Sequence, residues 1–168
     1  MPWRREPCAW RTLQWGPGPS CHILCPEIEE RDGEMHELVT RIKDPGLCYV
    51  FAKNATRRGH PELALQAYRR AVDLRAESHP TAVEAERAAV RAIYAYEEAL
   101  GYMKGKRTRA TGTWQLARRH GPMAAVKKRL DSGDGNAVVP ALKALGMEDY
   151  SFAVVLKDYP EAFDALAA

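Results

Sequence analysis

The hydrophobic pattern of the chain changes at Met35. From this residue onward, apolar residues recur at intervals of three and four, the spacing of a helix with one buried face. Glycines, prolines and short polar stretches separate the periodic segments. The pattern predicts an all-α fold, a compact bundle of about six to nine helices. The predicted helices lie around residues 38–42, 45–58, 61–75, 79–102, 113–119, 122–130, 138–145, 149–157 and 160–166.

The second and third predicted helices should form an antiparallel hairpin. Asp44 belongs to a residue type that caps helices well, and Pro45 suits the first helical position. Gly59 ends the second helix, and Pro61 opens the third. The apolar stripe of the third helix consists of Leu63, Ala64, Ala67, Tyr68, Ala71 and Leu74.

This hairpin resembles a single tetratricopeptide repeat over residues 47–75. The matching residues are Phe51, Ala52, Gly59, Ala64, Tyr68 and Ala71. The sequence departs from the repeat at Ala76, where the repeat usually has Pro, and no second copy follows about 34 residues later. A lone hairpin cannot form the concave groove of a repeat array. The alternative interpretation is that small residues simply let two helices approach closely.

The fourth predicted helix is long, beginning at His79-Pro80 and extending to about Tyr102. Its charged residues Glu84, Arg87 and Arg91 have helical spacing and predict a solvated face. Its candidates for burial are Val83, Ala89, Ala92, Ile93, Tyr96 and Leu100.

Residues 1–34 differ from the rest of the chain. They hold five of the eleven prolines and three of the four tryptophans, without a helical or alternating period. Residues 29–34 can be encoded by purine-rich codons that resemble a bacterial ribosome-binding site. We therefore expect translation to start at Met35, with residues 1–34 an unstructured leader or a misassigned extension and residues 35–168 a single helical domain. The alternative for residues 1–34 is a metal site formed by Cys8, Cys21, His22 and Cys25. The spacing of these residues lacks the paired C-x2-C of structural zinc sites.

Composition is that of an ordinary globular protein. Of the 168 residues, 46% are hydrophobic and 28% charged, and no run approaches the roughly 18 apolar residues that a membrane span requires. The N-terminus lacks the apolar stretch of a signal peptide. Three of the four cysteines fall within residues 1–34, so they cannot form a disulfide framework through the fold. These features predict a cytoplasmic protein.

The net charge of +3 conceals a local basic block. Residues 104–129 contain nine basic residues and no acidic residue, whereas residues 131–168 contain two basic and seven acidic residues. A surface that concentrates this charge attracts phosphates and releases counterions, so we predict binding to DNA, RNA or another polyanion. The alternative is a basic face that aids solubility or docks on the acidic C-terminal third. The candidate phosphate ligands are Lys106, Arg107, Arg109, Arg118, Arg119, Lys127 and Lys128. Trp114, within this block, is predicted to be a core anchor rather than a platform for base stacking.

The same segment resembles part of a helix-turn-helix motif. The matching residues are Leu116, Ala117, Gly121 and Leu130. Lys127 stands where an apolar residue is expected, although the adjacent Val126 can serve after a small rotation. Met123, Ala124 and Ala125, at the start of the second helix, offer poor hydrogen bonding to base edges. We therefore expect contacts to the nucleic-acid backbone rather than sequence reading.

Short segments of the chain are also similar to a set of uncharacterised bacterial helical proteins that begin near Met35. The similar segments are residues 51–55, 67–76, 108–110, 114–115 and 119–121. The similarity spans residues 35 to about 163 and implies no established activity. It supports a start at Met35 and leaves the function open.

The sequence contains no catalytic motif and indicates no cofactor or metal. Gly101, Gly105 and Lys106 fall one residue short of a phosphate-binding loop, and no predicted strand precedes them. Cys48 lies in an apolar helical setting and is predicted to be a core thiol. Adjacent carboxylates such as Glu97 and Glu98 should point apart on a helix. We therefore predict a non-catalytic binding protein. The alternatives are a protein-interaction module that docks through residues 45–75 and an enzyme of unrecognised class.

Overall fold

The computed structural model describes residues 35–164, and all regular secondary structure in this range is helical. The predicted all-α fold is confirmed for these residues. The helices are α1 (Glu37–Thr40), α2 (Pro45–Arg57), α3 (Pro61–Glu77), α4 (Glu84–Lys104), α5 (Thr111–His120), α6 (Pro122–Asp131), α7 (Asp134–Ala137), α8 (Val139–Ala144), α9 (Phe152–Asp158) and α10 (Pro160–Asp164), with a 3-10 turn at Glu148–Tyr150. None of these helices is both long and apolar enough to cross a lipid bilayer. Three predictions concern residues 1–34, which lie outside the described range. They are the leader, the translation start at Met35, and the metal site of Cys8, Cys21, His22 and Cys25.

Helices α2 and α3 form the predicted hairpin. The Asp44 side chain caps α2 by accepting a hydrogen bond from the backbone N–H of Leu47 at 2.9 Å, and Pro45 occupies the first turn. Between the helices, Gly59 has a φ of 81°, a conformation that glycine adopts without steric cost. The two helices meet through small buried residues, namely Ala52, Ala55, Ala64 and Ala67. The likeness to a tetratricopeptide repeat stays a prediction.

Helix α4 lies at the centre of the bundle, where it packs against α3, α6, α8 and α9. Alanine is frequent on its buried positions, so neighbouring helices can approach it closely from several directions. The burial predicted for Ala89, Ala92, Ile93 and Tyr96 is confirmed, and Leu100 packs against the same core while partly exposed.

The predicted start of α4 at His79-Pro80 is wrong. The helix begins at Glu84, and Val83, which was expected to be buried, is 56% exposed. In the link that precedes α4, His79 Nδ1 lies 3.1 Å from Thr81 Oγ1, and the His79 ring stacks on the Trp114 indole. These contacts hold residues 79–83 outside the helix and outweigh the local preference of proline for a helix start.

The charged face of α4 is only partly solvated, which corrects the prediction. Glu84 and Arg87 form a surface ion pair at 2.8 Å. Arg91 instead extends toward α3, where its Nε lies 3.1 Å from Asp73 Oδ1, and its guanidinium lies near the face of the Tyr150 ring. Arg91 therefore links α3, α4 and the 3-10 turn.

The C-terminal half consists of short helices that pack around α4 and α6. Gly135 of α7 is buried, and a Cβ atom at this position would lie 2.8 Å from Phe152 Cδ2. The close contact between α7 and α9 therefore depends on this glycine. The gap between the predicted helices 122–130 and 138–145 is shorter than expected, because α6 extends through Asp131 and α7 begins at Asp134.

Candidate functional site

The seven predicted phosphate ligands fall on three neighbouring segments, and we call them the basic surface. Six of the seven are exposed, and Lys127 is half-buried. They are Lys106, Arg107 and Arg109 in the link between α4 and α5, Arg118 and Arg119 in the last turn of α5, and Lys127 and Lys128 in α6.

Arg129 fixes the arrangement of α5 and α6. Its Nε donates a hydrogen bond to Thr113 Oγ1 at 2.9 Å, and its Nη1 pairs with Asp134 at 2.7 Å. Gly121, with a φ of 88°, is the single residue between the two helices. Since the last turn of α6 contacts the first turn of α5, the two helices run antiparallel.

The antiparallel arrangement places the basic residues of α5 and those of α6 at opposite ends of the helix pair. Lys127 and Lys128 immediately precede Arg129, so they lie at the end of the pair where the α4–α5 link enters. Arg118 and Arg119 lie at the opposite end of α5, whose 10 residues span about 15 Å. A nucleic-acid strand in a duplex carries one phosphate per about 3.4 Å of axis, so this distance corresponds to about four phosphates.

The basic surface has no acidic partner among residues 35–163. The ion pairs of this range are made by other arginines: Arg41–Glu37, Arg69–Asp149, Arg70–Glu77, Arg75–Glu97, Arg75–Glu98, Arg87–Glu84, Arg91–Asp73 and Arg129–Asp134. In the acidic C-terminal third, Asp134 and Asp149 pair with Arg129 and Arg69 rather than with the basic surface. Exposed charges of one sign repel each other, and an anion from outside relieves that repulsion.

The first half of α6 is largely buried. Met123, Ala125 and Val126 lie in the core, where α6 packs against α4, α7 and α9. The half-buried Ala124 presents only a methyl group, so the start of α6 offers no side-chain donor or acceptor to a base edge. The likeness of α5 and α6 to a helix-turn-helix motif remains a prediction.

A buried polar network lies beside the α4–α5 link. Glu97 is 4% exposed, and its Oε1 accepts hydrogen bonds from Trp114 Nε1 at 2.7 Å and from the backbone N–H of Ala110 at 2.9 Å. Its Oε2 lies 2.7 Å from Arg75 Nη2. Burial of a carboxylate is costly unless it is paired and hydrogen-bonded, and here both oxygens have partners.

Arg75 connects this carboxylate to a second one. Its Nη1 lies 3.0 Å from Glu98 Oε1, which also accepts a hydrogen bond from the Tyr49 hydroxyl. Burial, together with the negative charge of Glu98, raises the pKa of Tyr49. Glu97 and Glu98 were predicted to point apart as adjacent residues of one helix, but both carboxylates meet the guanidinium of Arg75, whose long side chain reaches them from α3.

Aromatic rings close the network. Trp114 is buried and contacts the rings of His79 and Tyr94, which confirms its predicted role as a core anchor. The guanidinium of Arg75 lies 4.2 Å from the centroid of the Tyr94 ring. Cys48 is fully buried, as predicted, and burial raises the pKa of its thiol, which disfavours the reactive thiolate.

Two clefts open beside the network, one polar and one apolar. The polar cleft has a volume of about 500 Å³ and is lined by Arg75, Tyr94, Glu97, Glu98, Gly101, Arg107, Thr108, Arg109 and Trp114. The second, which we call the tyrosine cleft, has a volume of about 510 Å³, and its main walls are Tyr49, Leu65, Tyr68, Tyr102 and Leu145. Both clefts include Glu98, Gly101 and Arg107. Sequence reasoning missed them because their walls come from distant segments, and the charge of the α4–α5 link was the only local signal.

Comparisons of the chain with protein-family models, with curated proteins and with solved structures found no match in any of the three. The resemblances to a tetratricopeptide repeat, to a helix-turn-helix motif and to bacterial helical proteins therefore remain predictions. In the part of the chain that the structure describes, no group of three or more His, Cys, Asp or Glu side chains is placed to hold a metal ion.

Proposed function

We propose that the protein binds nucleic acid in the cytoplasm through the basic surface, by contacts to phosphates and without catalysing a reaction. The observation that carries this proposal is the concentration of seven basic residues on adjacent segments of the chain, with no acidic partner among residues 35–163, whereas Arg75, Arg91 and Arg129 are paired. Each phosphate that such a residue neutralises releases condensed counterions, which favours binding at low salt.

The proposed contacts are independent of sequence. The start of α6 offers no polar side chain for base edges, so affinity comes from the backbone, which DNA and RNA share. Binding of this kind is typically weak at physiological salt, with Kd values of about 10⁻⁴ to 10⁻⁶ M, and strengthens steeply as salt falls. The proposal therefore predicts a strong dependence of affinity on salt concentration.

A second candidate function is docking of a protein partner on the α2–α3 hairpin. The observation that favours it is the exposure of two large apolar side chains on α2, Leu47 at 60% and Val50 at 58%. The apolar stripe of α3 is largely buried against α2 and α4, so α2 offers the accessible apolar face of the hairpin.

Binding to labelled nucleic acids, measured by fluorescence anisotropy at two salt concentrations, tests the proposal. The probes are duplex DNA, single-stranded DNA and RNA. We expect salt-sensitive binding that is lost when Arg118, Arg119, Lys127 and Lys128 are all replaced by Gln. Removing four phosphate contacts should reduce the slope of log K against log salt by about three to four on duplex DNA.

A matched control separates the basic surface from net charge. This control replaces four exposed basic residues in or beside α2 by Gln, and so removes the same charge outside residues 104–129. The four residues are Lys43, Lys53, Arg57 and Arg58. This control should retain the wild-type salt slope. Equal loss of affinity in both variants would show a general charge effect, and absence of binding at low salt would end the proposal and favour the hairpin.

A further inference from the structure

The tyrosine cleft has the size and walls of a small-molecule site. Its volume of about 510 Å³ lies within the range of about 300–1,000 Å³ that is typical of ligand pockets. The rings of Tyr49 and Tyr68 lie 6.1 Å apart at an angle of 56°, and Leu65 completes an apolar wall. Tyr102, at the end of α4, is 58% exposed, so one ring of the cleft is already accessible to an incoming planar group.

Positive charge adjoins this apolar surface. Lys106 and Arg107 belong both to the lining of the cleft and to the basic surface, and the Arg107 guanidinium lies 5.0 Å from the centroid of the Tyr49 ring. Glu98, the one acidic residue among the described residues of the lining, is paired with Arg75. The cleft thus combines aromatic walls with unbalanced positive charge, which complements a ligand that has a flat apolar part and a nearby anionic group.

A nucleotide has this combination, with a base that presents a π face and a phosphate that carries charge. In a duplex the base faces are already stacked, so only an unpaired base is available to an aromatic cleft. We propose that the tyrosine cleft receives an unpaired base of a single strand whose phosphates contact Lys106 and Arg107. This inference rests on the proposed function, and it assigns single strands as the preferred partner.

Variants of two exposed positions test the inference with little disturbance of the core. Tyr102→Ala removes an accessible ring, Tyr102→Phe keeps it as a matched control, and Ala144→Trp fills the cleft from an exposed lining residue. The probes are a labelled oligothymidylate and a duplex of the same length. We expect Tyr102→Ala and Ala144→Trp to weaken binding of the single strand by about fivefold or more, since base stacking typically contributes that much per base. Tyr102→Phe should bind as the wild type does, and duplex binding should change less than twofold.

Several results would overturn the inference. Single-strand binding that survives both cleft variants, while the basic-surface variant abolishes it, would disprove the cleft and leave the proposed function standing. Equal weakening of single-strand and duplex binding would disprove a site for unpaired bases. Failure of the wild-type protein to bind any of the probes at low salt would disprove both this inference and the proposed function. Far-UV circular dichroism of each variant confirms that it is folded.

Discussion

Glu97 offers the sharpest test of how the site is built. In Glu97→Gln, the side-chain oxygen can still accept hydrogen bonds from Trp114 and Ala110, but the new amide group faces Arg75 donor to donor. Removing one partner of a buried ion pair typically costs about 3–5 kcal/mol. In this variant Arg75 still has Glu98 as a partner at 3.0 Å, and 19% of its side chain is exposed to solvent. We therefore expect the lower end of this range, a loss of about 3 kcal/mol in the free energy of unfolding.

Glu98→Gln is the matched comparison, since it removes the neighbouring carboxylate from the same arginine. Glu98 is more exposed, with 15% of its side chain accessible, so its loss should cost only about 1–2 kcal/mol. Urea unfolding followed by far-UV circular dichroism measures both free energies of unfolding. A cost below 1 kcal/mol for Glu97→Gln, or a larger cost for Glu98→Gln, would refute the account of Glu97 as the centre of the network.

Three further predictions concern other parts of the fold. Burial raises the pKa of Tyr49 and Tyr150 above the ordinary value of 10.0, so above pH 10 the unfolded state loses protons that the folded state keeps. Stability should therefore fall as pH rises, by up to about 1.4 kcal/mol per pH unit for each tyrosine, and less steeply when both are replaced by Phe; unfolding titrations above pH 10 check this. Gly135→Ala should cost about 1–3 kcal/mol in thermal unfolding, because its Cβ would lie 2.8 Å from Phe152; an unchanged melting temperature would contradict this. Cys48 is fully buried, so mass spectrometry should detect its alkylation only under conditions that unfold the protein.

Local sequence signals were sufficient where neighbouring residues determine the structure. Asp44 caps α2 through the adjacent turn, and Gly59 and Pro61 define the hairpin link within three residues. The start of α4 could not be found in this way, because contacts of His79 with Trp114, far away in the sequence, override the preference of Pro80.

The same distinction between local and long-range contacts applies to the candidate site. The basic surface was predictable because its charges are close in sequence and acidic residues are absent between them. The network around Glu97 was not, since Arg75 reaches it from another helix and spacing rules describe only neighbours on one helix. The tyrosine cleft requires the packing of α2, α3 and α4 before its walls meet.

The α4–α5 link is anchored at both ends, and this affects the entropy of binding. At its start the backbone N–H of Lys106 donates to Gly101 O at 3.2 Å, and at its end Glu97 accepts from Ala110. Between these points the Thr108 hydroxyl donates to Lys106 O at 3.0 Å. The backbone that carries Lys106, Arg107 and Arg109 is therefore ordered during folding, so a ligand that binds there loses less affinity to loop ordering than it would on a mobile basic tail.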